Sequence, residues 1–102
     1  MPVSGYKLSQ AAQDDLREIK RFSQMNWGKQ QTQNYLSDTQ TRLKSLTATP
    51  EIGKKRDAIL PGLRSLSVGN HVIFYRIGDS SIEIARILHK RMDVEIHLGE
   101  AP

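Results

Sequence analysis

The sequence predicts an α+β fold: a two-helix hairpin on one face of an antiparallel sheet of about four strands, with an N-terminal strand and a short C-terminal helix. Three observations predict it. Apolar residues before position 47 recur at helical spacing, and those after position 62 form β-branched and aromatic runs between turn residues. Between them, residues 50–62 carry Pro50, Gly53, Pro61 and Gly62, the composition of a surface connector. The length of 102 residues suits one domain, 1–102, with a modest core.

Tyr6-Lys7-Leu8 is a short strand candidate. Ser9 offers an N-cap, because its hydroxyl oxygen can accept from the first free helical amides. Asp14 and Asp15 follow early enough to meet the positive helix end. Ala12, Leu16, Ile19 and Phe22 form one helical face, and Asn26-Trp27-Gly28 ends the helix, with Gly28 in a left-handed conformation. Trp27 is expected to pack at the hinge between the helices. A second helix from about Lys29 to Leu46 places Leu36, Leu43 and Leu46 on a shared face, and Pro50 stops it.

Three strands follow: Leu63 to Val68, His71 to Ile77 and Ile82 to Leu88, joined by Gly69-Asn70 and by Gly78-Asp79-Ser80-Ser81. Residues 92–98 suggest the last short helix. Strict alternation puts Leu66, Val68, Ile73, Ile77, Ile82, Ile84 and Leu88 under the helices, with Arg64 and Arg86 toward the edges of that face. The opposite face then holds Ser65, Ser67, Val72, Phe74, Arg76, Glu83, Ala85 and Ile87, with nothing left to cover it. It reads either as a partner site or as an ordinary mixed surface. Arg76 opposite Glu83 reads as a cross-strand salt bridge of little energetic weight.

The chain has no cysteine, which removes disulfides and thiolate metal sites and fits a reducing compartment. No signal-peptide pattern opens it and no apolar run approaches membrane-spanning length, so a cytoplasmic protein with no membrane partner is expected. His71, His89 and His97 lack metal-ligand spacing, and neither metal nor cofactor is expected. The net charge is +4, of which +3 falls in residues 41–102 (ten basic, seven acidic). This mild excess suits an acidic partner. Lys54-Lys55-Arg56 is the densest basic run, either a solvated loop or a patch for such a partner.

Several segments, in order, resemble the ParE branch of the RelE/ParE toxin superfamily. Ala11-Ala12 with Asp15-Leu16-Arg17-Glu18-Ile19, and Phe22 five places before Trp27-Gly28, resemble the opening helix of ParE toxins. Pro61-Gly62-Leu63-Arg64 and His71-Val72-Ile73-Phe74-Tyr75-Arg76 resemble the entry to the second strand and the third strand. Ile87-Leu88-His89-Lys90-Arg91-Met92-Asp93 is similar to the ParE ending and is the most distinctive stretch.

The resemblance implies the toxin of a type II toxin–antitoxin system of the plasmid-stabilising kind. It would be neutralised by a ParD-like antitoxin, meet operator DNA only through that antitoxin, and poison DNA gyrase by binding. The antitoxin-binding candidates are Lys54, Lys55, Arg56, Arg64 and Arg76, and the target-binding candidates Lys90, Arg91 and Met92. The superfamily's other branch cuts messenger RNA in the ribosome, which needs cations on the scissile phosphate. The positions matching those cations appear here as Ser65, Ser67 and Val72, none of which is charged. Arg64, Arg86, His89 and Arg91 would have to build an alternative nuclease site. A third possibility is a non-toxic module that only binds the antitoxin.

Overall fold

The structure is a computed structural model and describes residues 4–92 and 97–98. In chain order the elements are β1 (Tyr6–Leu8), α1 (Gln10–Trp27), α2 (Lys29–Ala48), a 3-10 turn (Pro50–Ile52), β2 (Lys54–Lys55), β3 (Arg64–Val68), β4 (His71–Ile77) and β5 (Ile82–His89). They build one sheet of order β1-β5-β4-β3-β2. The three later strands pair antiparallel, whereas β1 lies parallel to β5, so the sheet is mixed. The helical hairpin carries the chain from β1 to β2 at the opposite edge, and three antiparallel steps back across the sheet bring β5 alongside β1 in the same direction. The fifth strand, β2, falls inside the segment expected to be only a connector.

Local chemistry sets the hairpin. Ser9 Oγ accepts from the Ala12 amide at 3.0 Å and caps α1. Gly28, at φ 85°, ends α1 in the positive-φ region that glycine tolerates. Its carbonyl accepts from the amide and the hydroxyl of Thr32 at 3.2 and 2.7 Å, opening α2. Ala12, Ile19, Leu43 and Leu46 are buried between helices and sheet, joined by Leu66, Val68, Ile73, Tyr75, Ile82, Ile84 and Ile87. Asp14 and Asp15 sit beyond the first turn of α1, so the helix dipole does not explain them.

The β3–β4 register is the expected one, with Val68 opposite His71 and Arg64 opposite Tyr75. The β4–β5 register shifts between Phe74 and Tyr75: Tyr75 faces Ile84, but Phe74 faces Arg86 and Ile73 faces Ile87. Ala85 is the extra residue of a β-bulge. Two expectations for the face beneath the helices change. Ile87, not Leu88, enters the core beneath the helices, and Leu88 turns to the far face. Ile77, at the end of β4, is exposed rather than buried.

The far face is not bare. Leu63, Phe74, Leu88 and Leu98 are buried together there, with Ile59, Leu60, Val72 and Ala85 packed against them. Burying a side chain of this size contributes about 1.5–3 kcal/mol, enough to hold a turn-rich segment down. The segment before β3 and Leu98 thus form a second small core where an open face was expected. The helix expected over 92–98 falls largely on residues 93–96, outside the described residues.

Tyr75 fixes the other end of that segment. Its fully buried hydroxyl donates to the Pro50 carbonyl at 2.7 Å and accepts from the Gly53 amide at 2.9 Å. Burial raises its pKa, so the phenol stays protonated and can donate.

Candidate functional site

The predicted site residues fall into separate groups. Lys54 and Lys55 are the exposed edge strand β2, pairing with Ser65 and Arg64. Arg56 is half-buried, its guanidinium carbon 5.9 Å from the centroid of the Phe74 ring. Arg64 donates through Nη1 to the carbonyls of Glu51 and Gly53 at 3.2 and 3.0 Å, so one arm of its guanidinium is held by backbone. Arg76 is exposed and stands opposite Glu83, but the expected salt bridge is not among the ion pairs of the described residues. This end of the sheet therefore gathers Lys54, Lys55, Arg56 and Arg64.

Lys90, Arg91 and Met92 lie at the opposite end, exposed in the turn after β5. The ladder makes the separation explicit. Arg64 is level with Tyr75 and Ile84, whereas His89 is level with His71 and Val68. Four strand residues separate the two levels, about 13 Å along the strands. Arg86 stands between them but belongs to Asp15, which accepts from its Nε and Nη2, both at 2.8 Å. That carboxylate raises the Arg86 pKa further. The four residues of the alternative nuclease site are thus not brought into one constellation.

The bulge explains Asp15. An extra strand residue leaves backbone groups without ladder partners. Asp15 Oδ2 accepts the Ile87 amide at 2.9 Å, and Ser9 Oγ donates to the Ala85 carbonyl at 2.7 Å. Two residues of the α1 amino end thus satisfy the irregular part of β5.

Beside this junction a cleft of about 530 Å³ opens between α1 and the ends of β4 and β5. Ile19 and Ile87 lie among its lining, as do Phe22, Trp27, His71 and His89. These rings belong to a continuous aromatic chain. Phe22 meets Trp27 edge-on at 6.0 Å, and Trp27 meets Tyr35 of α2 at 6.4 Å. Tyr35 meets His71 at 5.6 Å, and His71 meets His89 at 5.3 Å. Trp27 does bridge the two helices, and it also presents 42% of its surface.

Hydrogen bonds hold this chain in place. Tyr35 Oη lies 2.6 Å from His71 Nδ1, bonds the Val68 carbonyl at 3.1 Å and accepts the Asn70 amide at 3.1 Å. Burial lowers the His71 pKa to about 4, helped by the positive potential of His89 and opposed by Asp15. The His71 imidazole is therefore neutral at pH 7. His89 Nδ1 accepts the Arg91 amide at 3.1 Å, which puts the proton of its neutral form on Nε2.

Among the described residues, no group of three or more histidine, cysteine or acidic side chains could hold a metal ion. None of the described helices is long and apolar enough to cross a membrane.

The family described as "ParE toxin of type II toxin-antitoxin system, parDE" matches residues 6–94. The chain belongs to the ParE toxin family. It is 44% identical to Toxin ParE1 of Mycobacterium tuberculosis over 96 residues, covering 93% of this chain and 98% of that one. It is 35% identical to Toxin ParE1 of Caulobacter vibrioides, covering 92% and 97% of the two chains. Its identity to Toxin ParE of Escherichia coli is 30%, over 96% of each. The fold matches a solved chain of a chromosomal ParDE system from P. aeruginosa with TM-score 0.75 at 22% identity, over 87% of this chain and 98% of that one. This ParE chain is thus the toxin of a type II toxin–antitoxin system, whose partner is a ParD-type antitoxin.

Of the groups that organise this ParE site, Asp15 and Tyr35 were assigned no such role by sequence. The spacing Ile82, Ile84, Ile87 carries the signal for the first, because the apolar period lengthens from two to three where the bulge falls. Tyr35 meets a residue 36 positions away, which no local pattern encodes.

Proposed function

We propose that this ParE toxin acts in the cytoplasm by binding DNA gyrase rather than by cutting RNA, and that a ParD-like antitoxin neutralises it. The observation that carries this reading is the engagement of the two strand arginines. Arg64 is held through Nη1 by backbone carbonyls and Arg86 by Asp15, while Ser65, Ser67 and Val72, which the resemblance matches to the nuclease cations, carry no charge. A phosphate cradle without cations forfeits several kcal/mol of transition-state stabilisation. Lys90, Arg91 and Met92 form the gyrase contact, exposed beside the aromatic cleft. Lys54, Lys55, Arg56, Arg64 and Arg76 face the acidic antitoxin tail, and operator DNA is reached only through the antitoxin.

The test is a gyrase assay with purified toxin. Toxin should stabilise cleaved DNA or block supercoiling, added antitoxin should reverse the effect, and Lys90→Ala/Arg91→Ala should weaken it. Site-specific cleavage of messenger RNA in programmed ribosomes, with gyrase unaffected, would refute the reading.

A further inference from the structure

The cleft combines three features that the proposed gyrase contact at Lys90, Arg91 and Met92 does not require together. Its aromatic lining is extensive: Phe22, Trp27, His71 and His89 all contribute. Its carboxylates are already neutralised, Asp15 by Arg86 and Glu18 by Arg21. Lys90 and Arg91 also line it, and among the described residues neither is ion-paired.

We propose that this cleft binds a nucleotide, its base lying against the Trp27–His71 side and its phosphate held by Lys90 and Arg91. The volume of about 530 Å³ is within the range of small-molecule sites. A base presents a flat π-face that aromatic side chains receive without regard to sequence. The cations meet phosphate with charge-assisted hydrogen bonds. His71 is held by Tyr35 and neutral at pH 7, so it offers an uncharged ring for stacking and a polar edge for the base. The lining is mostly aromatic and apolar, with Lys90 and Arg91 as its cations, a combination that suits a base joined to a phosphate. That ligand is either a free mononucleotide or a nucleotide of single-stranded DNA.

Trp27 is the chain's one tryptophan, and it lines the cleft, so its emission reports occupancy directly. The full chain is titrated at constant ionic strength with AMP, GMP and ATP, with a short single-stranded DNA, and with inorganic phosphate. Saturable quenching by nucleotides but not by phosphate is expected. Lys90→Ala/Arg91→Ala should weaken the apparent affinity by roughly tenfold or more. Its melting curve should be unchanged, because both side chains are exposed. Quenching by mononucleotides identifies the free ligand, and quenching by the oligonucleotide alone identifies the nucleic-acid source. The proposal is overturned by no saturable quenching, by an equal response to phosphate, or by undiminished affinity in the double variant. The measurement contains neither gyrase nor antitoxin, so its outcome is independent of the gyrase reading.

Discussion

Asp15 on α1 and Arg86 on β5 are joined by two hydrogen bonds of 2.8 Å, and the same carboxylate accepts the Ile87 amide at 2.9 Å. One side chain therefore neutralises a cation and completes the backbone of a bulged strand. Both partners are largely shielded, with side-chain exposures of 22% for Arg86 and 13% for Asp15. Removing one member of such a pair strands the other.

Asp15→Asn should accordingly cost about 2–3 kcal/mol, because Arg86 loses its counter-charge while the Ile87 amide keeps an acceptor. Asp15→Ala removes that acceptor as well and should cost more. Urea unfolding of the two variants checks both the size and the order. Native-like midpoints would mean that the junction does not hold α1 to β5.

The same junction marks what could be read from the sequence. Helix caps and tight turns are local chemistry, so Ser9, Gly28 and the Val68–His71 register were legible. Strict alternation then failed at Ala85, where one extra residue exchanges the faces of Ile87 and Leu88. The far face was misread for a related reason. Its cover, Ile59, Leu60, Leu63 and Leu98, comes from segments with no periodicity. The exposed cations Lys90 and Arg91 could be named from sequence, but the cleft beside them could not. It depends on Trp27, His71 and His89 converging from three different elements.

Tyr75 should be costly to truncate even conservatively. Tyr75→Phe removes the acceptor of the buried Gly53 amide and the donor to the Pro50 carbonyl. A buried amide left unpaired costs about 1–3 kcal/mol, so a loss of that size is expected. Amide exchange should accelerate around residue 53 more than in β4. Gly53→Ala should be worse still, since a Cβ there would stand 2.7 Å from Tyr75 Cε1 and 2.9 Å from the Ser65 carbonyl oxygen. Chemical denaturation with hydrogen exchange distinguishes this local anchoring from a general loss of stability.

His71 should make the fold acid-sensitive within a defined window. Its folded pKa is about 4 against an ordinary value of 6.5, so the unfolded chain takes up a proton that the folded chain refuses. Stability is then undiminished above pH 6.5, falls as pH drops toward 4, and changes no further from this group below that. The ring is only half-buried and solvent screens the effect, so the loss is about 1–2 kcal/mol. His71→Gln, which retains a polar partner for Tyr35, should flatten the pH profile between 6.5 and 4. An unchanged slope in that variant would place the sensitivity elsewhere.

Antitoxin capture should depend on salt mainly through the association rate. Lys54 and Lys55 are exposed on an edge strand, where they can attract an acidic tail before any contact forms. Arg56 is different, because its guanidinium lies over Phe74 and covers part of the second core. Reversing all three charges would confuse steering with folding, so the informative variant is Lys54→Glu/Lys55→Glu. That variant should slow association by roughly three- to tenfold at low salt and leave dissociation nearly unchanged. Raising the salt should slow the native toxin toward the variant's rate, as screening removes the attraction that the substitutions abolish. Surface-capture kinetics with a ParD-type antitoxin at two salt concentrations measure both rates. If association is unaltered by the double reversal, the two lysines are solvated strand residues and the encounter is guided from another surface.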